Sequence, residues 1–258
     1  MKKIGIIGYG NMGAAIYASI KGKFEVYVYD PFKMGEQKEV SFEKNLFELV
    51  EKSEILIVCV KPGLVKEVLG KVHAPRAIFS IAAGVTLASI KNSLADEELQ
   101  TESKIVRLMP NLPMVVSEGC IGFVGNEEVY SEVYEIFSHL GLVMKVDSEK
   151  QLDAITGLSG SGPAFVFSFI QAMAEGGVKS GLSYTDSLQL SIKTVLGSAL
   201  YLTQELKKGE HPYSLRNKVT SPGGTTIHGL DKLEEGKFNH TVMNAVYGAY
   251  LRAKEMGN

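Results

Sequence analysis

The stretch KIGIIGYGNMG, residues 3–13, decides the fold. Lys3–Ile7 is a short apolar run typical of a buried strand, and GYGNMG follows it at the start of a helical pattern. A lone G-x-G-x-x-G motif is weak evidence, but one placed between a strand and a helix is typical of a dinucleotide-binding turn.

Each glycine of this motif has a predicted task. Gly8 makes the tight turn, Gly10 lets the backbone approach a pyrophosphate, and Gly13 lets the helix pack on the strand. The helix N-terminus, with Asn11 and Met12, is expected to hold the phosphate charge.

Asp30 ends the second predicted strand, where an acid binds the ribose 2′-hydroxyl of NAD. It would repel the 2′-phosphate of NADP, although Lys33 could partly compensate. The site therefore favours NADH without excluding NADPH, and a solvated turn aspartate is the alternative.

Strand-like and helix-like segments alternate through the first half of the chain, which predicts a parallel sheet covered on both faces. The predicted strands are Lys3–Ile7, Glu25–Tyr29, Ile55–Val60, Ala77–Ile81, Lys104–Leu108, Ile121–Val124 and Val143–Val146. The predicted helices are Met12–Lys21, Phe42–Lys52, Leu64–Val72 and Glu127–His139.

Two more candidate ligand residues follow predicted strands. Lys61, within the segment Val60-Lys61-Pro62, could face phosphate or carboxylate, and it could equally be an ordinary lysine at a helix start. The Asn111 amide could reach the cofactor from a proline-fixed loop, although turn chemistry alone also explains that loop.

Only helices are predicted after Asp147, so we divide the chain into residues 1–147 and 148–258. Gln151–Leu158 is a short helix, while Pro163–Glu175 is almost wholly apolar and Thr185–Lys207 has two apolar faces. A helix that is apolar all round must be buried all round. So small a domain has too few elements to cover two such helices, which predicts a homo-oligomer formed through this half.

Composition excludes several classes of protein. The chain has 258 residues with a net charge of −2 and no basic block, so neither nucleic acid nor an anionic membrane is an expected partner. The longest apolar run is too short to span a bilayer, and glycines interrupt the N-terminal run too early for a signal peptide. Cys59 and Cys120 form no C-x-x-C pair, which fits a reducing cytoplasm, and we predict no metal site.

The segment SPGGTTIHGL, residues 221–230, joins a flexible uncharged loop to a helix start. Backbone N–H groups of Gly223, Gly224 and Thr225 could bind a small carboxylate with help from the helix dipole. Ser221 and Thr226 add hydroxyl groups. The alternative is an ordinary capped helix start, because serine and threonine are preferred caps.

A general acid is hard to find in the helical half. His228, His211 and His240 are the histidines there, and none has an evident carboxylate partner in the sequence. A lone histidine is more often structural than catalytic, so His228 is only a weak candidate.

Seven segments, in order along nearly the whole chain, resemble the pyrroline-5-carboxylate reductase family. They are GYGNMG (8–13), VKP (60–62), SIAAGV (80–85), RLMPNLP (107–113), GLSGSGPAFVF (157–167), GGVKSGL (176–182) and SPGGTTIHGL (221–230). The resemblance implies a Rossmann-type dinucleotide-binding domain followed by an all-helical dimerisation domain, with assembly to a decamer possible in the family. It also adds Ala82, Ala83 and Gly84 to the expected cofactor site.

The resemblance also implies the reaction: hydride transfer from NADH or NADPH to the cyclic imine 1-pyrroline-5-carboxylate, giving L-proline. A protonated C=N bond is already electrophilic, so the site needs orientation, a carboxylate site and a weak donor rather than a strong acid. In the family, the threonine matching Thr226 contacts the ring nitrogen. The loop backbone at 223–225, with Ser221, takes the carboxylate.

Two positions depart from the family pattern. Asp30 is acidic where many members carry small or hydroxyl residues, which affects the preference between NADH and NADPH. Lys218 replaces a polar uncharged residue just before the loop and could assist carboxylate binding.

Two other functions compete with this interpretation. A 2- or 3-hydroxy-acid dehydrogenase of the same plan would need a lysine on the first long helix, and Phe165–Glu175 contains none. A nucleotide-binding regulator would not need an intact SPGGTT loop, and it would bind nucleotide without oxidising it.

Overall fold

The computed structural model describes residues 1–33 and 40–256. Seven strands form one sheet in the order β2-β1-β3-β4-β5-β6-β7. The strands are β1 (Lys3–Ile7), β2 (Glu25–Tyr29), β3 (Ile55–Val58), β4 (Ala77–Ser80), β5 (Lys104–Met109), β6 (Gly119–Gly125) and β7 (Gly141–Lys145). All seven predicted strands are present, with small shifts at their ends.

Seven helices accompany the sheet: α1 (Asn11–Ile20), α2 (Leu46–Lys52), α3 (Val65–Leu69), α4 (Leu87–Asn92), α5 (Glu97–Glu102), α6 (Tyr130–Phe137) and α7 (Glu149–Ile155). The sequence analysis missed α4 and α5. It also started α2 too early, at Phe42, because the Asn45 side chain accepts a hydrogen bond from the Glu48 N–H and caps the helix there.

The prediction of a wholly parallel sheet is wrong at one pair of strands. Strands β1 to β5 run parallel, but β5 and β6 pair antiparallel, and β7 then runs parallel to β6. The connection between β5 and β6, residues 110–118, is too short for the crossover that a parallel pair requires. It contains only a 3₁₀ turn, Leu112–Val116.

The central strands of the sheet are buried on both faces, as the apolar strands predict, whereas the edge strand β7 is partly exposed. Neighbouring residues of one strand enter opposite layers: Ile55 and Ile57 join one hydrophobic core, while Leu56 and Val58 join the other. All four are almost completely inaccessible to solvent. Burial on both faces explains why the strands show no alternation of polar and apolar residues.

The chain forms two compact units, residues 1–161 with the C-terminal segment from 247 onwards, and residues 162–246. The predicted division at 147/148 differs, because α7 belongs to the first unit. Arg107 of β5 is buried and forms ion pairs with Glu149 and Asp153 of α7. These pairs fasten the helix to the sheet unit.

Five helices follow: α8 (Gly162–Lys179), α9 (Tyr184–Leu206), α10 (Pro212–Lys218), α11 (Thr225–Glu235) and α12 (Phe238–Met256). Within one protomer, the buried residues of α9 are Ser187, Ser191 and Glu205. Many of its large apolar residues are exposed, among them Leu190, Leu196, Leu200 and Tyr201. This arrangement is the reverse of that in a helix of a monomeric protein, so these faces require a protein partner.

In the parts of the chain that the structure describes, none of the helices combines the length and hydropathy needed to cross a bilayer.

We predict that Arg107→Ala lowers the thermal midpoint Tm by roughly 6–12 °C. Removing one partner of a buried ion pair costs about 3 kcal/mol, and each kcal/mol shifts Tm by roughly 2–4 °C in a chain of this size. Differential scanning calorimetry at fixed protein concentration measures the shift. Arg252→Ala is the control, because it breaks only an exposed pair with Glu255.

We expect Asp153→Asn to lower Tm by less than Arg107→Ala does. Burial raises the pKa of the Asp153 carboxyl, against the opposing effect of the Arg107 charge. A folded-state pKa above the unfolded one means that ionised Asp153 opposes folding at neutral pH, and this cost vanishes below the unfolded pKa.

Equal Tm values for Arg107→Ala and wild type would contradict this account of α7.

Candidate active site

The glycine-rich turn after β1 is fixed by contacts that exclude a side chain. Gly8 has φ +96°, and a Cβ there would lie 2.9 Å from the Cys59 carbonyl carbon after β3. A Cβ at Gly13 would lie 2.1 Å from the Gly8 carbonyl oxygen. Helix α1 therefore approaches β1 more closely than any larger residue permits.

Gly10 has a different environment from Gly8 and Gly13. It is exposed, and a Cβ added to it would meet no atom within 4 Å. Gly10 is also the N-cap residue of α1, where no side chain caps the helix. The first N–H groups of α1, beginning at Asn11 and Met12, therefore face the open side of the turn and can bind an anion.

A cavity of about 400 Å³ opens beside this turn. It brings together five residues that the sequence analysis assigned to the cofactor: Gly8, Gly10, Asp30, Val60 and Lys61. They come from the ends of three neighbouring parallel strands, β1, β2 and β3. That edge of an open α/β sheet is where ligands bind.

Asp30 is held firmly within the cavity. Its Oδ2 accepts a hydrogen bond from the Tyr9 N–H (2.7 Å), and its Oδ1 accepts one from the Phe32 N–H (2.9 Å). A carboxylate so anchored presents a fixed negative charge next to the glycine turn. It can still accept bonds from ribose hydroxyls, because each oxygen has a second lone pair.

The sequence analysis missed the apolar part of this cavity. Leu46, Leu64 and Val68 line it, together with the exposed ring of Phe32. Lys71 also lines it and is paired with Glu67 at 2.7 Å. Phe32 lies two residues after Asp30 and Leu64 two residues after the VKP segment, but no sequence pattern indicated Leu46, Val68 or Lys71.

Several predicted cofactor residues do not line this cavity. Pro62 begins the 3₁₀ turn Pro62–Leu64, and Lys33 closes the turn after β2 through its N–H to the Asp30 carbonyl. The segment 82–84 follows β4: Ala82 is buried in the core, Ala83 is half-buried, and Gly84 has φ +75°. A Cβ at Gly84 would lie 2.8 Å from the Met256 backbone. The positive φ and the close contact with Met256 explain why position 84 is glycine.

Asn111 is buried, and both ends of its amide are bonded to the protein backbone. Nδ2 donates to the Ser159 carbonyl at 3.0 Å, and Oδ1 accepts from the Cys120 N–H at 2.8 Å. These two bonds hold the amide against the protein backbone. The structure thus places Asn111 apart from the cavity described above.

The SPGGTT loop ends at an uncapped helix in the second unit. Gly224 is the N-cap residue of α11, and no side chain caps this helix. Gly223 has φ +66°, and the Gly224 N–H bonds to the Ser221 carbonyl at 3.1 Å, which closes a tight turn. The expected serine or threonine cap is therefore absent from α11, and its first N–H groups remain available to a ligand.

The loop's polar side chains surround this helix start. Ser221 and Thr225 are exposed, and Thr226 is half-buried. Lys218 lies just before the loop but is paired with Glu210 at 2.6 Å, a hydrogen bond that raises the pKa of Lys218. A substrate carboxylate would have to compete with Glu210 for this lysine.

His228 and Cys59 are two further side chains with reactive groups. His228 is exposed on the first turn of α11. Burial raises the pKa of the Cys59 thiol, so it stays protonated beneath the glycine turn. Among residues 1–33 and 40–256, no cluster of three or more His, Cys, Asp or Glu side chains is arranged for a metal ion.

Fold and site together define a nicotinamide-nucleotide-dependent oxidoreductase. A family model described as "Pyrroline-5-carboxylate reductase dimerisation" matches residues 149–256, and one described as "NADP oxidoreductase coenzyme F420-dependent" matches residues 3–84. The pyrroline-5-carboxylate reductase of Methanosarcina acetivorans is 38% identical over 99% of this chain and 98% of its own length. That of Arabidopsis thaliana is 37% identical over 98% and 95%.

Solved structures agree with these relatives. The pyrroline carboxylate reductase of Plasmodium falciparum, crystallised with NADP bound, superposes with a TM-score of 0.88 at 32% identity over 100% of this chain and 98% of that one. The chain belongs to the pyrroline-5-carboxylate reductase family. The match to the dimerisation model and the exposed apolar faces of α9 together support a homo-oligomer.

The two glycines of the turn should respond differently to alanine. We expect Gly10→Ala to raise the Kd for NADH by about tenfold or more while leaving Tm unchanged, because the added methyl group fills only the space of the ligand. Gly13→Ala should lower Tm as well, because its Cβ collides with the Gly8 carbonyl. Fluorescence titration and calorimetry measure both; an unchanged Kd for Gly10→Ala would remove the pyrophosphate from this turn.

Proposed function

We propose that this chain reduces 1-pyrroline-5-carboxylate to L-proline with hydride from NADH or NADPH. The observation that carries the proposal is the uncapped N-terminus of α11, preceded by a loop with no charged residue. Such a helix end holds one carboxylate by dipole and N–H donors. It adds no side-chain acid, which this substrate does not need.

Several features of the first unit suit a bound nucleotide. The uncapped α1 and the open face of Gly10 suit a pyrophosphate, Asp30 suits a ribose, and the apolar cavity beside Asp30 suits an adenine. When bound, the nicotinamide supplies the hydride. The chain's own residues bind and orient the two reactants.

We assign the substrate carboxylate to the backbone of 223–225, with the Ser221 hydroxyl as an additional donor. The Thr226 hydroxyl is assigned to the ring nitrogen, where it holds the imine in orientation and hydrogen-bonds the developing amine. The iminium carbon needs no further activation to accept a hydride. The proton on nitrogen is already present in the reactive form of the substrate.

The larger organisation is part of the same proposal. Residues 1–147 serve the nucleotide, and residues 148–258 serve the substrate and the dimer interface, with further assembly to a decamer. Within the second range, residues 148–161 and the segment from 247 onwards pack with the first unit. Both cysteines are free. We place the protein in the cytoplasm, where such thiols stay reduced.

A substrate series tests the proposal. The rate of NADH and NADPH oxidation should be high with pyrroline-5-carboxylate and at least about a hundredfold lower in kcat/KM with 1-pyrroline, which lacks the carboxylate. A 2-oxo acid should be inactive. Activity with the oxo acid alone would favour a hydroxy-acid dehydrogenase, and nucleotide binding without any oxidation would favour a regulator.

Thr226→Ala should lower kcat by about 10- to 100-fold, a loss of ~1.4–2.8 kcal/mol of transition-state stabilisation. The reason is the loss of the donor at the ring nitrogen. Steady-state kinetics measure the effect. Thr220→Ala in the same loop is the control, since its hydroxyl bonds to the Arg216 carbonyl at 2.8 Å. A Thr226→Ala enzyme with wild-type turnover would exclude this residue from the reaction.

Asp30→Ser should raise kcat/KM for NADPH relative to NADH by about tenfold. The anchored carboxylate repels a 2′-phosphate, whereas serine removes the charge and can donate to it. The ratio of the two specificity constants is the measurement. An unchanged ratio would show that Asp30 does not face the ribose.

A further inference from the structure

Asn111 joins three segments of the first unit that are far apart in sequence. It follows β5 directly, its Oδ1 accepts from Cys120 at the start of β6, and its Nδ2 donates to Ser159. Ser159 lies in a π turn, Thr156–Gly160, in which the Ser161 N–H bonds to the Thr156 carbonyl at 2.9 Å. The amide is thus the link between the β5–β6 hairpin and the π turn.

The sequence explains why the Ser159 carbonyl needs this donor. In a continuing helix its partner would be the N–H of the residue four positions later, which is Pro163. Proline has no N–H, so the Ser159 carbonyl would be left unpaired. Asn111 Nδ2 supplies the missing donor. The motifs RLMPNLP and GLSGSGPAFVF therefore each contain one partner of this hydrogen bond.

The other end of the amide extends the sheet. The β5–β6 ladder ends at the pair of Met109 with Gly122. Beyond that pair, Asn111 Oδ1 accepts a hydrogen bond from the Cys120 N–H, where a main-chain carbonyl would accept it in a continuing ladder. Asn111 therefore fixes the π turn with respect to the end of the β5–β6 ladder.

This link lies at the edge of the sheet that binds the nucleotide. Asp30 after β2 marks the ribose end of the site, so the nicotinamide end extends past β3 and β4 toward β5. The π turn contacts that end of β5, since a Cβ at Gly160 would lie 2.8 Å from Met109 Cε. π turns of this kind occur frequently at functional sites.

The geometry points to Asn111 as a positioning residue for hydride transfer, acting through the π turn without touching the nucleotide. This inference rests on the proposed function, and it replaces the sequence-based assignment of Asn111 to the cofactor. Loss of the Nδ2 bond releases the Ser159 carbonyl and shifts the π turn at the nicotinamide end. Small displacements of this kind slow a reaction that depends on alignment.

The test compares Asn111→Asp with Asn126→Asp. Aspartate at 111 keeps an acceptor for the Cys120 N–H but loses the donor to Ser159. Asn126 lies at the opposite end of β5, where its Oδ1 accepts from the Ile105 N–H at 3.0 Å, a bond that aspartate retains. Asn111→Ala and Asn126→Ala extend the comparison, and the milder aspartate variants remain informative if an alanine variant fails to fold.

We expect Asn111→Asp to lower kcat by at least about tenfold while the Kd for NADH stays within about twofold. The deuterium isotope effect on kcat with 4-deuterated NADH should rise, because hydride transfer becomes slower. Amide hydrogen exchange should accelerate at 156–161. Asn126→Asp should retain kcat, the isotope effect and the exchange pattern.

Two results would overturn the inference. A lower Tm with unchanged kcat and isotope effect would make Asn111 purely structural, and a large rise in the Kd for NADH would place it in contact with the nucleotide. If the wild-type enzyme reduces no imine, the proposed function fails. Exchange at 156–161 and the Kd for NADH then still decide whether Asn111 holds the turn.

Discussion

The close approach of α1 to β1 is the constraint on which the rest of the site depends. The Gly8 carbonyl occupies the space that a side chain at 13 would need, and Gly8 itself lies against the backbone after β3. This packing brings the N-terminus of α1 to the edge where β1, β2 and β3 end. The open face of Gly10, the carboxylate of Asp30 and the apolar cavity then lie beside one uncapped helix end.

The helical unit also contains a helix that begins at glycine without a side-chain cap. Side chains cap six other helices, through Asn45, Thr86, Asp96, Ser148, Ser183 and His211. Helices α3 and α6 also lack a side-chain cap but continue directly from 3₁₀ turns. Helices α1 and α11 instead begin at glycine and carry no side-chain cap. Their free N–H groups can hold a phosphate and a carboxylate without any cationic residue. An imine that is already electrophilic requires little more than this orientation and one hydroxyl donor.

Local patterns predicted much of this architecture. The apolar strand runs and the G-x-G-x-x-G spacing identified all seven strands, the doubly covered sheet and the first turn. What they missed depends on tertiary structure. The direction of β6 follows from a short connection, and Leu64 of the 3₁₀ turn and Val68 of α3 come to line the cavity only after folding. The position of Asn111 after β5 suggested a cofactor contact, whereas its two hydrogen bonds to the backbone could not be derived from the sequence.

We propose that the two uncapped helix ends at Gly10 and Gly224 hold the two reactants of one imine reduction. The most direct measurement is the loss of nicotinamide absorbance when the purified protein is mixed with pyrroline-5-carboxylate and either NADH or NADPH. The account predicts rapid oxidation that depends on the imine and yields proline, with NADH favoured by Asp30. A folded protein that binds the nucleotide but oxidises neither form in the presence of this imine would contradict the account.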